Sequence, residues 1–230
     1  GFQCTSGKST TVVHVLNNSL PFTASGYTVR SQNILNAQER AGLRVIGITR
    51  PAYPIEIGLF PQGGTDVVDG IVYHRTLSRS IVPFSSREID SYVKCLVDVA
   101  RQSHANILHT TTSFKNAVVV SKAAEVLGIP WVYEVRGQLE STWLSKLSDE
   151  EQRIGLNSEY YRKFQEAEIR AMEAASHVVT LSDVHKASLI NRGIDSEKIT
   201  VIPNGISVGE AKQKSSKKKI RSCLGLPDGI

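Results

Sequence analysis

Charged side chains in an otherwise apolar strand are costly unless they are paired or used. The segment WVYEVRGQLE carries three in close succession, Glu134, Arg136 and Glu140. Side chains alternate along an extended chain, so Glu134 and Arg136 point to the same side. They read either as ligand-contacting groups at a strand tip or as a structural ion pair, with each other or with a neighbour. A second candidate follows the first apolar run, where Ser25 and Gly26 lead into a helix beginning near Tyr27. Unpaired backbone N–H groups and the positive end of a helix dipole would face a phosphate or sugar hydroxyl there. Gly26 has no Cβ to block that approach, and Arg30, one turn on, would add charge. The alternative is a tight turn that needs a glycine, with Arg30 solvated. His109 and Ser113, at the end of ILHTTTS, point towards the same crevice or belong to the core. Asn204 and Gly205 in IPNGIS form a natural turn, in which Asn tolerates and Gly suits a left-handed backbone.

Other chemistries lack their residues. Gly7-Lys8-Ser9 looks like the end of a phosphate-binding loop. The preceding glycine, Gly1, is one residue too far, and such a loop must follow a strand and open a helix. The six histidines show no HxxxH or HExxH pair, and Cys4, Cys95 and Cys223 are odd in number and far apart. That pattern predicts reduced thiols in a cytoplasmic protein, with neither a disulfide framework nor a metal site. The net charge is +5, but Lys212, Lys214, Lys217, Lys218, Lys219 and Arg221 supply six positive charges in one run, leaving −1 for the rest. This run reads as a solvated linker; a contact with nucleic acid or lipid is the sharper alternative, and neither interleaved aromatics nor a nucleic-acid motif supports it. No run of about 18 or more apolar residues is present.

The elements that must position these residues are legible as short β-branched runs alternating with longer amphipathic ones. Seven strands are expected, at Val12–Leu16, Leu43–Thr49, Gly70–Arg75, Ala105–Thr110, Trp131–Arg136, His177–Ser182 and Lys198–Pro203. Nearly continuous apolar runs such as VVHVL mark strands covered on both faces. Helix signals lie between them. Ser85 and Glu88 stand at capping-box spacing before Ile89–Ser103, and Gly128 with Pro130 ends Lys115–Leu127. Tyr160, Phe164, Ala167, Ala171 and Ala174 mark one narrow buried face of a helix from Glu159 to Ala175, and Ser182 caps a further helix that runs to Asn191. The fold class is therefore α/β: a Rossmann-like, doubly wound, mostly parallel sheet in a three-layer α/β/α arrangement. Ligands of such sheets gather at the carboxyl ends of the strands.

Taken in order, SGYTVRSQNIL, ANILHTTTS, VLGIPWVYEVRG with Glu140, ASHVVTLSD and KITVIPNGIS resemble the N-terminal domain of GT-B glycosyltransferases. The resemblance is to the large retaining family (glycosyltransferase family 4-like) that includes sugar transferases of lipid, polysaccharide and mycothiol assembly. It implies transfer of a sugar from a nucleotide-diphosphate sugar to an acceptor sugar or glycolipid hydroxyl, without cofactor or metal. Residues 11–208 would form the acceptor-side domain, after a disordered leader at 1–10. Residues 209–222 would be the basic linker, and 223–230 the start of a donor-binding partner domain lying beyond this chain. Without that half the domain alone is expected to be inactive. Many relatives place a histidine where this chain has Arg136. The EVRG form followed by Glu140 resembles a subset of the family, which makes Arg136 and Glu140 the catalytic candidates. Ser25, Gly26, Tyr27, Arg30, His109, Ser113, Glu134, Asn204 and Gly205 become substrate-binding candidates. A sugar-nucleotide epimerase of the same fold and a non-catalytic carbohydrate- or partner-binding domain are the alternatives.

Overall fold

The computed structural model describes residues 10–76, 86–205 and Arg221. Their centre is one eight-stranded sheet with the order β3-β4-β2-β1-β5-β6-β7-β8. The strands are β1 Thr11–Leu16, β2 Arg44–Thr49, β3 Thr65–Val68, β4 Ile71–Arg75, β5 Ile107–Thr111, β6 Trp131–Val135, β7 His177–Thr180 and β8 Ile199–Val201. All neighbours pair in parallel except β3, which runs antiparallel to β4. The seven expected strands are present, and β3 is the addition. Asp69 and Gly70 join it to β4 with φ of 50° and 84°, the left-handed pair that a two-residue hairpin requires. The expected strands at 177–182 and 198–203 are shorter in the structure, because Ser182 has already become the cap of a helix and the chain leaves the sheet after Val201.

The helices are α1 Gly26–Arg40, α2 Ser86–Ser103, α3 Phe114–Leu127, α4 Leu139–Leu144, α5 Asp149–Gly155, α6 Glu159–Ala174 and α7 Asp183–Asn191. Ser25 caps α1 reciprocally with Thr28, and Gly128 ends α3 with φ +65°. The Ser85 half of the expected cap of α2 lies outside the described residues. The buried side of α6 includes Ala171 as expected but is rotated from the expected line, with Ala174 exposed. Glu168, Ala171 and Met172 face inward while Tyr160 is half-exposed, because Glu168 accepts from the Tyr133 hydroxyl (2.6 Å) and the Phe114 amide (2.9 Å).

The two faces of the sheet differ. Val13, Val15, Ile46, Ile48, Leu108 and Val178 pack against α2, α3, α6 and α7 in one apolar core. Each such side chain, fully buried, contributes roughly 1.5–3 kcal/mol. The opposite face meets α1, whose buried residues are Thr28, Ser31, Gln32 and Leu35. Val12, Leu16, Leu35, Val45, Ile71 and Tyr73 form a smaller buried apolar cluster there, with Leu43, Val68 and Ile107 packed against it. The remainder of that interface is polar, and it leads directly to the strand ends.

Candidate active site at the strand ends

Glu134 on β6 is the centre of the polar interface. It is fully buried, and burial pushes its carboxyl pKa upward. The guanidinium of Arg136 foremost, then His109 and Arg30, overcome this and hold the pKa below the usual carboxylate value. Arg136 Nη2 donates to Oε2 (2.6 Å) and Arg30 Nε to Oε1 (2.7 Å). Arg136 Nη1 also donates to the Tyr27 carbonyl (2.8 Å) and Ser31 Oγ (2.9 Å), fastening the first turn of α1 to the tip of β6. Arg30 extends the other way, donating to the carbonyls of Ile202 and Pro203 and to Asn204 Oδ1. Two guanidiniums against one carboxylate leave a net positive charge beside the strand ends.

Beneath them His109 stacks on His14, with ring centroids 4.5 Å apart. Burial is the main cause that lowers the His109 pKa to about 4, so at neutral pH its ring is uncharged and its 3.7 Å approach to Glu134 is not a salt bridge. His14 is lowered too, by burial first, and its Nε2 meets Gln38 Oε1 at 2.7 Å.

A cleft of about 240 Å³ opens above this layer. Asn17 and Asn18 line it from the end of β1, Ser25, Tyr27 and Thr28 from the start of α1, Thr112 and Ser113 from the end of β5, and Arg136 from β6. The amides of Gly26 and Tyr27 donate to no protein acceptor among the described residues, while that of Thr28 is taken by Ser25 Oγ. The Nε of Arg136 is buried and also has no hydrogen-bond partner among the described residues. Gly26 itself does not have a left-handed φ, and a Cβ built on it meets nothing within 4 Å. Neither the turn nor the packing requires glycine there. A broader groove of about 710 Å³ runs along the outer side of α1, lined by Gly26, Tyr27, Arg30, Arg136, Asn204 and Gly205 among others.

The structure thus draws Ser25, Gly26, Tyr27, Arg30, Ser113, Arg136, Asn204 and Gly205 to one edge of the sheet. Three expectations need correction. Glu134, held by Arg30 and Arg136, and His109, whose Nε2 has no hydrogen-bond partner among the described residues, are buried under α1 and line neither cavity. Glu140 does not accompany Arg136. It is fully buried on α4, where Arg192 Nη1 donates to its Oε1 (2.7 Å), because α4 turns it inward against α7. Neither Asn204 nor Gly205 adopts a left-handed φ; Arg30 holds this segment by hydrogen bonds instead. Asn17, Asn18 and Thr112 were missed, although the asparagine pair directly follows the first strand, where a strand-end crevice recruits its polar groups. Among the described residues no three His, Cys, Asp or Glu side chains gather as a metal would need, and no helix is long and apolar enough to cross a membrane.

A parallel sheet with a helix start and a positive cluster at its carboxyl edge defines a Rossmann-like α/β domain whose strand-end cleft suits an anionic group. The model of the glycosyl transferase 4-like domain matches residues 25–205, and the chain belongs to that family. Solved structures with the same fold include sucrose-phosphate synthase from Thermosynechococcus elongatus (TM-score 0.65, 15% identity, covering 95% of this chain and 53% of that one). Anabaena HepE in complex with UDP-glucose is another (0.58, 18%, 93% and 50%). The UDP-N-acetylglucosamine 2-epimerase of Rickettsia bellii is a third (0.54, 13%, 96% and 52%). The chain spans about half the length of these proteins. A comparison with curated proteins finds no match.

Proposed function

We propose that this domain is the acceptor-side half of a transferase that moves a sugar from a nucleotide-diphosphate sugar to an acceptor hydroxyl. Transfer proceeds with retained configuration and without a metal, in polysaccharide or glycoconjugate synthesis. The observation that carries the reading is the start of α1: two unclaimed amides at a glycine that the fold itself does not need, beside Arg136. A helix start presents roughly half a positive charge. Together with the net charge of the Arg30–Glu134–Arg136 cluster, it is preorganised for the negative charge that grows on a departing diphosphate. Ser25, Gly26, Tyr27 and Arg136 meet the anionic group. Ser113, Asn17 and Thr112 orient the acceptor, and the outer groove with Asn204 and Gly205 faces a second domain. UDP-glucose, the ligand named for HepE, is the first donor to try.

Gly26→Ala in the full-length protein is the test. Stability should change by less than about 1 kcal/mol, because the new methyl has room, while the donor KM rises at least tenfold. Unchanged kinetics would refute the phosphate role. The chain ending at Ile230 should show no turnover, and measurable transfer by it would contradict the need for a second domain. The fold shared with the epimerase favours one rival, which product analysis separates: an epimerised nucleotide sugar formed with no acceptor consumed. Binding of nucleotide sugar with no product of either kind would indicate a non-catalytic domain.

A further inference from the structure

A second cavity, of about 280 Å³, lies on the other side of Asn17, between the first turns of α2 and α3 and the end of β2. Asn17 borders both cavities and is locked as the partition. Its Nδ2 donates to the Thr112 carbonyl (3.1 Å), and its Oδ1 accepts from Asn116 Nδ2 (3.0 Å). Pro51, Ala52, Ile89 and Val119 supply apolar lining, and Arg50, Glu56, Glu88 and Lys115 line the cavity as well. Arg50 is tied down by the Asn17 carbonyl (3.0 Å) and by Glu56, so its charge is already answered.

One polar group is unanswered. Tyr92 is 3% exposed, lines this cavity, and its hydroxyl has no hydrogen-bond partner among the described residues. Burial pushes its pKa far above the usual tyrosine value, so it remains a neutral donor. A buried hydroxyl without a partner costs free energy that a bound oxygen would recover. Beyond the mouth the chain continues through Ile55, Ile57, Leu59 and Phe60, all exposed and Phe60 at 77%.

We infer that this cavity is an aglycone subsite. It receives a ring-sized apolar group bearing an oxygen, adjacent to the acceptor hydroxyl that lies across Asn17. The inference rests on the proposed transferase reading and narrows its acceptor to amphipathic molecules. The volume is near the lower end of the ~300–1,000 Å³ usual for small-molecule pockets, which suits one ring or a short alkyl segment.

Benzyl alcohol is a probe that does not depend on knowing the acceptor sugar. Titrated into methyl-labelled full-length protein, it should shift the Ala52, Ile89 and Val119 methyl signals. Tyr92→Phe keeps the volume and should weaken this binding roughly threefold to tenfold, the share of one hydrogen bond, while leaving UDP-glucose binding unchanged. Absence of shifts at those methyls, or equal affinity in the variant, overturns the subsite. Benzyl alcohol binding with the expected Tyr92 dependence, in a protein that turns over no nucleotide sugar, would keep the subsite and sink the transferase reading.

Discussion

Removing the charge of Glu134 is the most direct test of how the site is held. Glu134→Gln preserves shape but turns one acceptor oxygen into a donor that must face a guanidinium. The carboxylate is fully buried and bonded at 2.7 and 2.6 Å to Arg30 and Arg136, so the substitution strands two buried cations with one neutral partner. Deleting one member of a buried pair costs about 3–5 kcal/mol, a large part of the roughly 5–15 kcal/mol by which domains are stable. At about 2–4 °C per kcal/mol for a domain of this size, the melting temperature should fall by roughly 6–20 °C. Urea unfolding followed by circular dichroism at pH 7 measures the difference. The folded pKa of Glu134 is depressed, so its contribution is present above the unfolded value of about 4.3 and is lost as pH falls through the folded value. Wild type and variant should therefore converge only in acid. A difference below about 1 kcal/mol at pH 7, or one that persists unchanged at pH 2, would refute the hub.

His109 supplies a second pH signature. Its folded pKa of about 4 lies below the unfolded value of about 6.5, so the unfolded chain binds the extra proton in that window. Stability is complete above about pH 6.5 and declines towards pH 4, by at most about 3 kcal/mol from this residue. His109→Gln should flatten the slope by up to about 1.4 kcal/mol per pH unit in urea titrations; an unaltered slope would show that the ring is already protonated when folded. Gly47→Ala should destabilise by roughly 1–3 kcal/mol, because a Cβ there comes within 2.4 Å of the Tyr73 ring, which the Gln32 side chain holds by hydrogen bonding the Tyr73 hydroxyl. A melting temperature equal to wild type would show that the ring moves freely.

The central strands were legible because runs such as VVHVL and WVYEV admit few other readings, and parallel pairing follows from the helices between them. The hairpin to β3 was also written in the chain, as VVDGIV, with a strong two-residue turn signal between apolar pairs. Its short, half-exposed strand escaped notice because Thr65 and Asp66 are polar and leave only Val67 and Val68 as an apolar run. Within the site, the common direction of Glu134 and Arg136 followed from alternation alone. Their third partner, Arg30, is 104 residues from Glu134, and no local pattern reports a contact at that separation. Glu140 shows the same limit: its meaning depends on Arg192, which only the packing of α4 against α7 brings near. Tyr92 carries no signal within the helix expected over Ile89–Ser103, since a missing hydrogen-bond partner is a property of space and not of sequence.

The ends of the sheet carry a consequence for the molecule in concentrated solution. Among the described residues the outermost strands, β3 and β8, are four and three residues long. An uncapped strand is a template onto which another chain can add, and brevity is one of the ways in which natural sheets discourage that addition. Arg75 reinforces the first end by clasping Asp66 of β3 at 2.6 Å. Neither border offers a long flat rail for self-association, so the domain can keep the six parallel strands between them in register without inviting fibrous growth.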